Sequence, residues 1–132
     1  FAGTGALGFE AASRGATQVL MLEQDAALVA QLRAVQLRLG AHAVTVQRGE
    51  GVAALKGLAP ASVDLVFLDP PFNANLYDSA LRACAPALTA QGTVYLEAPE
   101  VWDDARLAPW GLQVHRYLKA GAVHAHLLHR LP

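Results

Sequence analysis

The chain has 132 residues, 54% hydrophobic and 16% charged, with a net charge of −1. That length and apolar content predict a single globular domain over residues 1–132 and exclude a disordered or low-complexity chain. The charge balance gives no overall basic footprint, the lone Cys84 excludes an internal disulfide and points to a reducing cytoplasm, and no run reaches the roughly 18 apolar residues of a membrane span.

The sequence opens on "FAGTG", without Met and without the strand that a glycine turn would normally follow. A first strand is therefore expected upstream of Phe1, and the chain is expected to be a truncated piece. "LGFEAASRGA" then predicts a helix capped by Gly15. "QVLMLE" (18–23) predicts a strand ending on an acid. In the stretch after it, Leu28, Leu32, Val35 and Leu39 recur at helical spacing between Asp25 as N-cap and Gly40 as C-terminal cap. "AVTVQ" (43–47) predicts a strand and "GVAALKGL" (51–58) a helix. "VDLVFLD" (63–69) is nearly continuously apolar, as a strand covered on both faces would be.

Residues 76–89 predict another helix, and "GTVYLEAP" (92–99) a strand. Leu112 to Lys119 and Ala122 to Arg130 predict a hairpin joined at Ala120-Gly121. The alternation implies an α/β fold: a doubly wound, mostly parallel sheet with a C-terminal antiparallel hairpin and its first strand truncated.

Four stretches carry candidate chemistry. Gly3, Gly5 and Gly8 form G-x-G-x-x-G at a helix start, which lets backbone approach a ligand closely, although a tight turn without a ligand has the same pattern. Glu23 closes the next strand, where a nucleotide site places an acid for ribose hydroxyls. Glu50, after the third strand, falls in the same crevice and would face a base; a solvated strand-end carboxylate is the plain alternative for Glu23, and an exposed loop acid for Glu50. In "VFLDPPFN" (66–73), Pro70 and Pro71 lack N–H groups and stiffen the loop, leaving carbonyls free as acceptors. Asp69 adds acceptor oxygens and Phe72 a flat apolar face, so the set suits a planar ring bearing an exocyclic amine. A proline-terminated strand packed on an aromatic is the bland alternative.

"FAGTGALGFEAASRGA", "LEQD" and "FLDPPF", in this order and spacing, resemble the RsmD family of S-adenosylmethionine-dependent, Rossmann-like methyltransferases, which modify the guanine N2 amine in small-subunit (16S) ribosomal RNA. The likeness covers nearly the whole chain. D-P-P-F marks amino-methyltransferases of nucleic acids or of Gln side chains as a group, and the helix start favours RsmD among them. The resemblance implies that Gly3, Thr4 and Gly5 lie against the methionine part of S-adenosylmethionine, Glu23 on its ribose, and Glu50 with Gly51 near adenine, with Phe1 also among the cofactor-binding residues. The family often has Asn or Asp where Glu50 stands. Asp69, Pro70, Pro71 and Phe72 would hold the target base, and the amine would be aligned with the methyl and sulfur. A guanine N2 lies inside a base pair, so the target must be unpaired or flipped. A usually basic segment upstream of Phe1 would account for the neutral charge of this chain. The partner implied is ribosomal RNA or a small-subunit particle, met by a cytoplasmic monomer without membrane or metal.

Competing readings share parts of this pattern. Adenine N6 of DNA or RNA would use the same D-P-P-F chemistry, an NAD-dependent oxidoreductase would use the glycines and Glu23 but leave D-P-P-F idle, and a cofactor-binding fragment would bind without turnover. His115, His124, His126 and His129 are expected to be partly exposed strand residues, with His124 and His126 on one face and no metal among them. Trp102 and Trp110 are expected to pack, and Cys84 to be a small core residue.

Overall fold

The computed structural model describes Ala2, Phe9, Ser13, residues 19–68 and residues 74–132. The chain divides into two compact units, Phe1–Ala54 and Leu55–Pro132.

In the first unit, β1 (Val19–Glu23) and β2 (Val44–Arg48) pair in parallel, with Val19 opposite Val44 and Glu23 opposite Arg48. The connection is helix α1 (Ala26–Leu39). Its ends lie where the sequence places them. The Asp25 carboxylate accepts from the N–H groups of Ala27 and Leu28, and Gly40 turns the chain at φ 62°, a conformation that glycine adopts without a Cβ penalty. Helical spacing puts Val29 and Leu32 on one stripe, where they close with Met21, Val44 and Val46 into a core against which Ala2, Phe9, Val19 and Ala41 pack. Polar ties reinforce the seam: Arg33 donates to the carbonyl of Val46 at 3.3 Å, and Gln36 to that of Val44. The outer residues of the strands, Leu20 and Thr45, remain exposed.

A short helix, α2 (Gly51–Gly57), follows β2. The second unit contains β3 (Val63–Leu68), α3 (Ala74–Ala87), β4 (Leu88–Ala98), α4 (Asp104–Leu107), a 3-10 turn (Ala108–Trp110), β5 (Leu112–Ala120) and β6 (Val123–Arg130). Its sheet has the order β3-β4-β6-β5: the first pair is parallel, and the other two are antiparallel. The final strand therefore sits between β4 and β5. Gly121, at φ 60°, turns the predicted hairpin.

Alternation along β4 buries Val94, Leu96 and Ala98 on one face, and Leu128 and His126 of β6 continue that face. Leu81, Cys84 and Leu107 are fully buried in the same unit. The C-terminal turn of α3 includes Pro86. The carbonyls of Pro86 and Ala87, which have no partner within the helix, accept from the N–H groups of Ala61 and Ser62 at 3.0 and 2.9 Å.

The structure corrects four expectations. β3 is not covered on both faces: Leu68 is buried, but Leu65 is 43% exposed. β4 begins at Leu88 rather than at Gly92, because the pairing jumps from Val63–Leu88 to Leu65–Thr93 and the extra β4 residues bulge out. Residues 104–110, for which the sequence predicts no element, form a helical turn that Asp103 caps by accepting from Arg106 N–H. His126 is 1% exposed rather than partly exposed, because it shares the core face with Leu128.

Candidate functional site

Parallel pairing brings the C-terminal ends of β1 and β2 together. The N–H of Gly49 donates to the carbonyl of Glu23 at 3.0 Å, so the chain leaving β2 is held against the end of β1 just before Glu50. The N–H of Ala2 donates to the carbonyl of Leu22 at 3.0 Å, which lays the start of the chain alongside β1 next to Glu23. The structure thus unites Ala2, Glu23, Glu50 and Gly51 at one edge of the first unit.

The two acids are held differently. Glu23 Oε2 accepts from the N–H of Asp25 at 3.1 Å, which fixes its carboxylate beside the start of α1. Glu50 Oε1 and Oε2 accept from the N–H groups of Val52 and Ala53 at 2.8 and 2.7 Å, so the side chain caps α2. A carboxylate there is favoured by the unpaired N–H groups and by the positive end of the helix dipole. Its second lone pairs stay open to another donor. Sequence reasoning missed this capping role, although an acid directly before "GVAAL" is a recognisable helix-start signal.

Phe1, Gly3, Thr4, Gly5, Asp69, Pro70, Pro71 and Phe72, assigned from the sequence to cofactor and target base, lie outside the described residues. The described chain reaches that second stretch at Leu68, which is 2% exposed and paired with Leu96.

The four-stranded sheet carries a further polar centre. His126 Nε2 accepts from Trp102 N–H at 3.0 Å, and its Nδ1 lies 3.3 Å from the carbonyl of Leu96, so Nδ1 bears the proton. Burial, chiefly, pushes the His126 pKa below its usual value. The strand alternation Leu128, His126, His124 was the signal for this burial. Trp102 stacks on Tyr77 at 6.1 Å, the Arg106 guanidinium lies over the Trp102 ring at 3.8 Å from its centroid, and that of Arg82 lies over Trp110. Val101, Trp102, Asp103, Asp104, Val114, Tyr117 and His126 line an open pocket of about 250 Å³. Among the described residues no group of His, Cys, Asp and Glu has the arrangement of a metal site.

Parallel strand pairs, helices between their strands, an acid at the end of β1 and another just past β2, and a hairpin whose β6 lies beside β4 define the Rossmann-like methyltransferase fold. Two solved structures share it closely. An Escherichia coli protein provisionally assigned as a methyltransferase matches 99% of this chain and 72% of its own, at TM-score 0.82 and 29% identity. A Haemophilus influenzae protein provisionally assigned as a methylase matches 100% and 84%, at TM-score 0.83 and 30% identity. Within that class the chain belongs to the RsmD family, whose model, described as conserved hypothetical protein 95, matches residues 1–129. It is 32% identical over 134 residues to ribosomal RNA small subunit methyltransferase D of Escherichia coli K12, covering 98% of this chain. The chain spans 66% of that relative's length.

Proposed function

We propose that the protein transfers a methyl group from S-adenosylmethionine to the exocyclic N2 amine of a guanine in small-subunit ribosomal RNA. The observation that carries this reading is the pair of acids Glu23, which ends β1, and Glu50, two residues past the end of β2, tied together through Gly49 and flanked by Ala2. Carboxylates suit the donors of a nucleoside: Glu23 accepts from ribose hydroxyls, and Glu50, with Gly51, faces adenine. Gly3, Thr4 and Gly5 hold the methionine part, and Phe1 joins the cofactor site. The relatives' name supports ribosomal RNA as substrate.

When bound, S-adenosylmethionine supplies an electrophilic methyl group on sulfur. The protein's task is then alignment rather than strong base catalysis. Asp69 and the carbonyl of Pro70 accept from the target amine and stabilise the positive charge that develops on its nitrogen. Pro71 stiffens the corner, and Phe72 stacks on the base, which enters unpaired or flipped. The protein acts as a cytoplasmic monomer on naked RNA or on the small-subunit particle. No described helix is long and apolar enough to cross a membrane.

Calorimetric titration with S-adenosylhomocysteine, NADH as control, tests the cofactor. Saturable binding that Glu23→Ala abolishes is expected; selective NADH binding would overturn the assignment. Methylation of ribosomal RNA, followed by nucleoside analysis, tests the target: N2-methylguanosine is expected, and N6-methyladenosine would replace the guanine reading.

A further inference from the structure

The chain's charge is unevenly distributed. Residues 1–104 contain all eleven acids and six of the ten Lys and Arg residues, whereas residues 105–132 contain four cations, four of the five histidines and no acid. The near-neutral total therefore conceals a basic C-terminal hairpin. Two of its cations, Arg116 and Lys119, are exposed on β5, the outermost strand, and among the described residues neither has a side-chain hydrogen bond or ion pair.

Their place in the sheet gives this charge a direction. The pairing row Leu68, Leu96, His126, Tyr117 runs straight across the four strands from the end of β3 to β5. The β5–β6 turn at Gly121 therefore lies at the same end of the sheet as the point where the chain leaves β3 for Asp69. Three strand spacings of roughly 4.8 Å put β5 only about 14 Å from β3, a few nucleotides along an RNA strand. Arg116 pairs opposite Leu127 and Lys119 opposite His124, so the two cations stand on opposite faces of β5 and straddle its free edge. A phosphate backbone laid along that edge meets a cation from each side. Between them Tyr117 is 43% exposed, its hydroxyl bonded to His124 Nδ1, and offers a ring to a neighbouring base. The acids beside Tyr117 in the pocket are occupied: Asp103 accepts from Arg106 N–H and Asp104 from Val114 N–H.

We infer that the outer edge of the β5–β6 hairpin, through Arg116 and Lys119, grips the RNA phosphate backbone flanking the target nucleotide. This inference rests on the RNA reading of the function and extends it to a surface. The competing explanation is that edge-strand cations only deter pairing with another sheet.

The test is binding of a single-stranded fragment of small-subunit ribosomal RNA across a salt series, comparing the wild type with Arg116→Gln/Lys119→Gln and with Arg38→Gln/Lys56→Gln, which removes the same charge elsewhere. Losing two phosphate contacts lowers the salt slope by about 1.4 and weakens binding about 25-fold at 0.1 M salt. The expected result is that loss in the hairpin variant alone, with S-adenosylhomocysteine affinity unchanged. Unaltered RNA affinity, with or without aggregation of the variant, would overturn the inference, and so would an equal loss in the control variant. A wild type that binds no RNA overturns both this and the proposed function. One that binds RNA but transfers no methyl group overturns the function alone, and the hairpin variant still reads the surface.

Discussion

The imidazole of His126 and the backbone of Trp102 form a buried pair, with Nε2 accepting the Trp102 N–H at 3.0 Å while the ring itself is 1% exposed. This bond pins the segment after β4 to the centre of the sheet. It exists only while Nε2 is unprotonated.

Stability should therefore depend on pH through this residue. The His126 pKa is lowered in the fold, first by burial and further by the neighbouring His124 and Arg106, against a raising contribution from the Leu96 carbonyl. The unfolded chain, with an ordinary value of about 6.5, takes up the proton first as pH falls. Stability is thus fully present above about pH 6.5 and declines below it. Melting temperatures measured from pH 8 to pH 5 should fall over the acid half of that range, and less steeply in His126→Gln. A wild-type curve that stayed flat would remove His126 from the account.

The two ends of α1 should weaken independently. Asp25→Ala removes an acceptor used by two N–H groups and should cost about 1 kcal/mol. Gly40→Ala meets no atom within 4 Å, so its cost is conformational alone, also about 1 kcal/mol. Urea unfolding of the single and double variants checks both values and their additivity.

Glu50 has a structural and a proposed binding role, and two substitutions should separate them. Glu50→Ala removes both capping bonds and should cost about 1 kcal/mol, along with cofactor affinity. Glu50→Gln keeps one acceptor oxygen and should retain most of the stability while S-adenosylhomocysteine binding weakens. Denaturation midpoints beside calorimetry distinguish the outcomes, and equal affinity in wild type and Glu50→Gln would restrict Glu50 to capping.

Cys84 should be inert in the folded protein. It is fully buried on α3, and burial pushes its thiol up to about 12, so thiolate is scarce at neutral pH. Iodoacetamide should label it only in denaturant, as mass spectrometry would show. Rapid native labelling would mean that α3 opens readily.

Local signals made much of this fold legible. Asp25 and Gly40 bracket α1 because a short acceptor and a left-handed glycine act within a few residues of themselves. Glu23 was placed at a strand end by the same kind of reasoning. What escaped the sequence depends on pairing between distant segments. The bulge after Leu88 arises from the register with β3; alternation puts His126 on the face of Leu128, but that this face is the buried one follows from pairing with β4 opposite Leu96. The exposure of Leu65 likewise reflects what does not pack on β3 rather than anything in "VDLVFL". The capping role of Glu50 was readable in principle but was overshadowed by its candidacy as a ligand.

The strand order also dictates a timetable. Because β6 lies between β4 and β5, neither can gain that neighbour until residues 123–130 have left the ribosome. β5 is made earlier but among the described residues pairs with β6 alone, so it waits for that strand. The four-stranded sheet is thus completed from its middle by the latest of its described strands, and a chain stalled before Val123 would hold two unfinished edges at once.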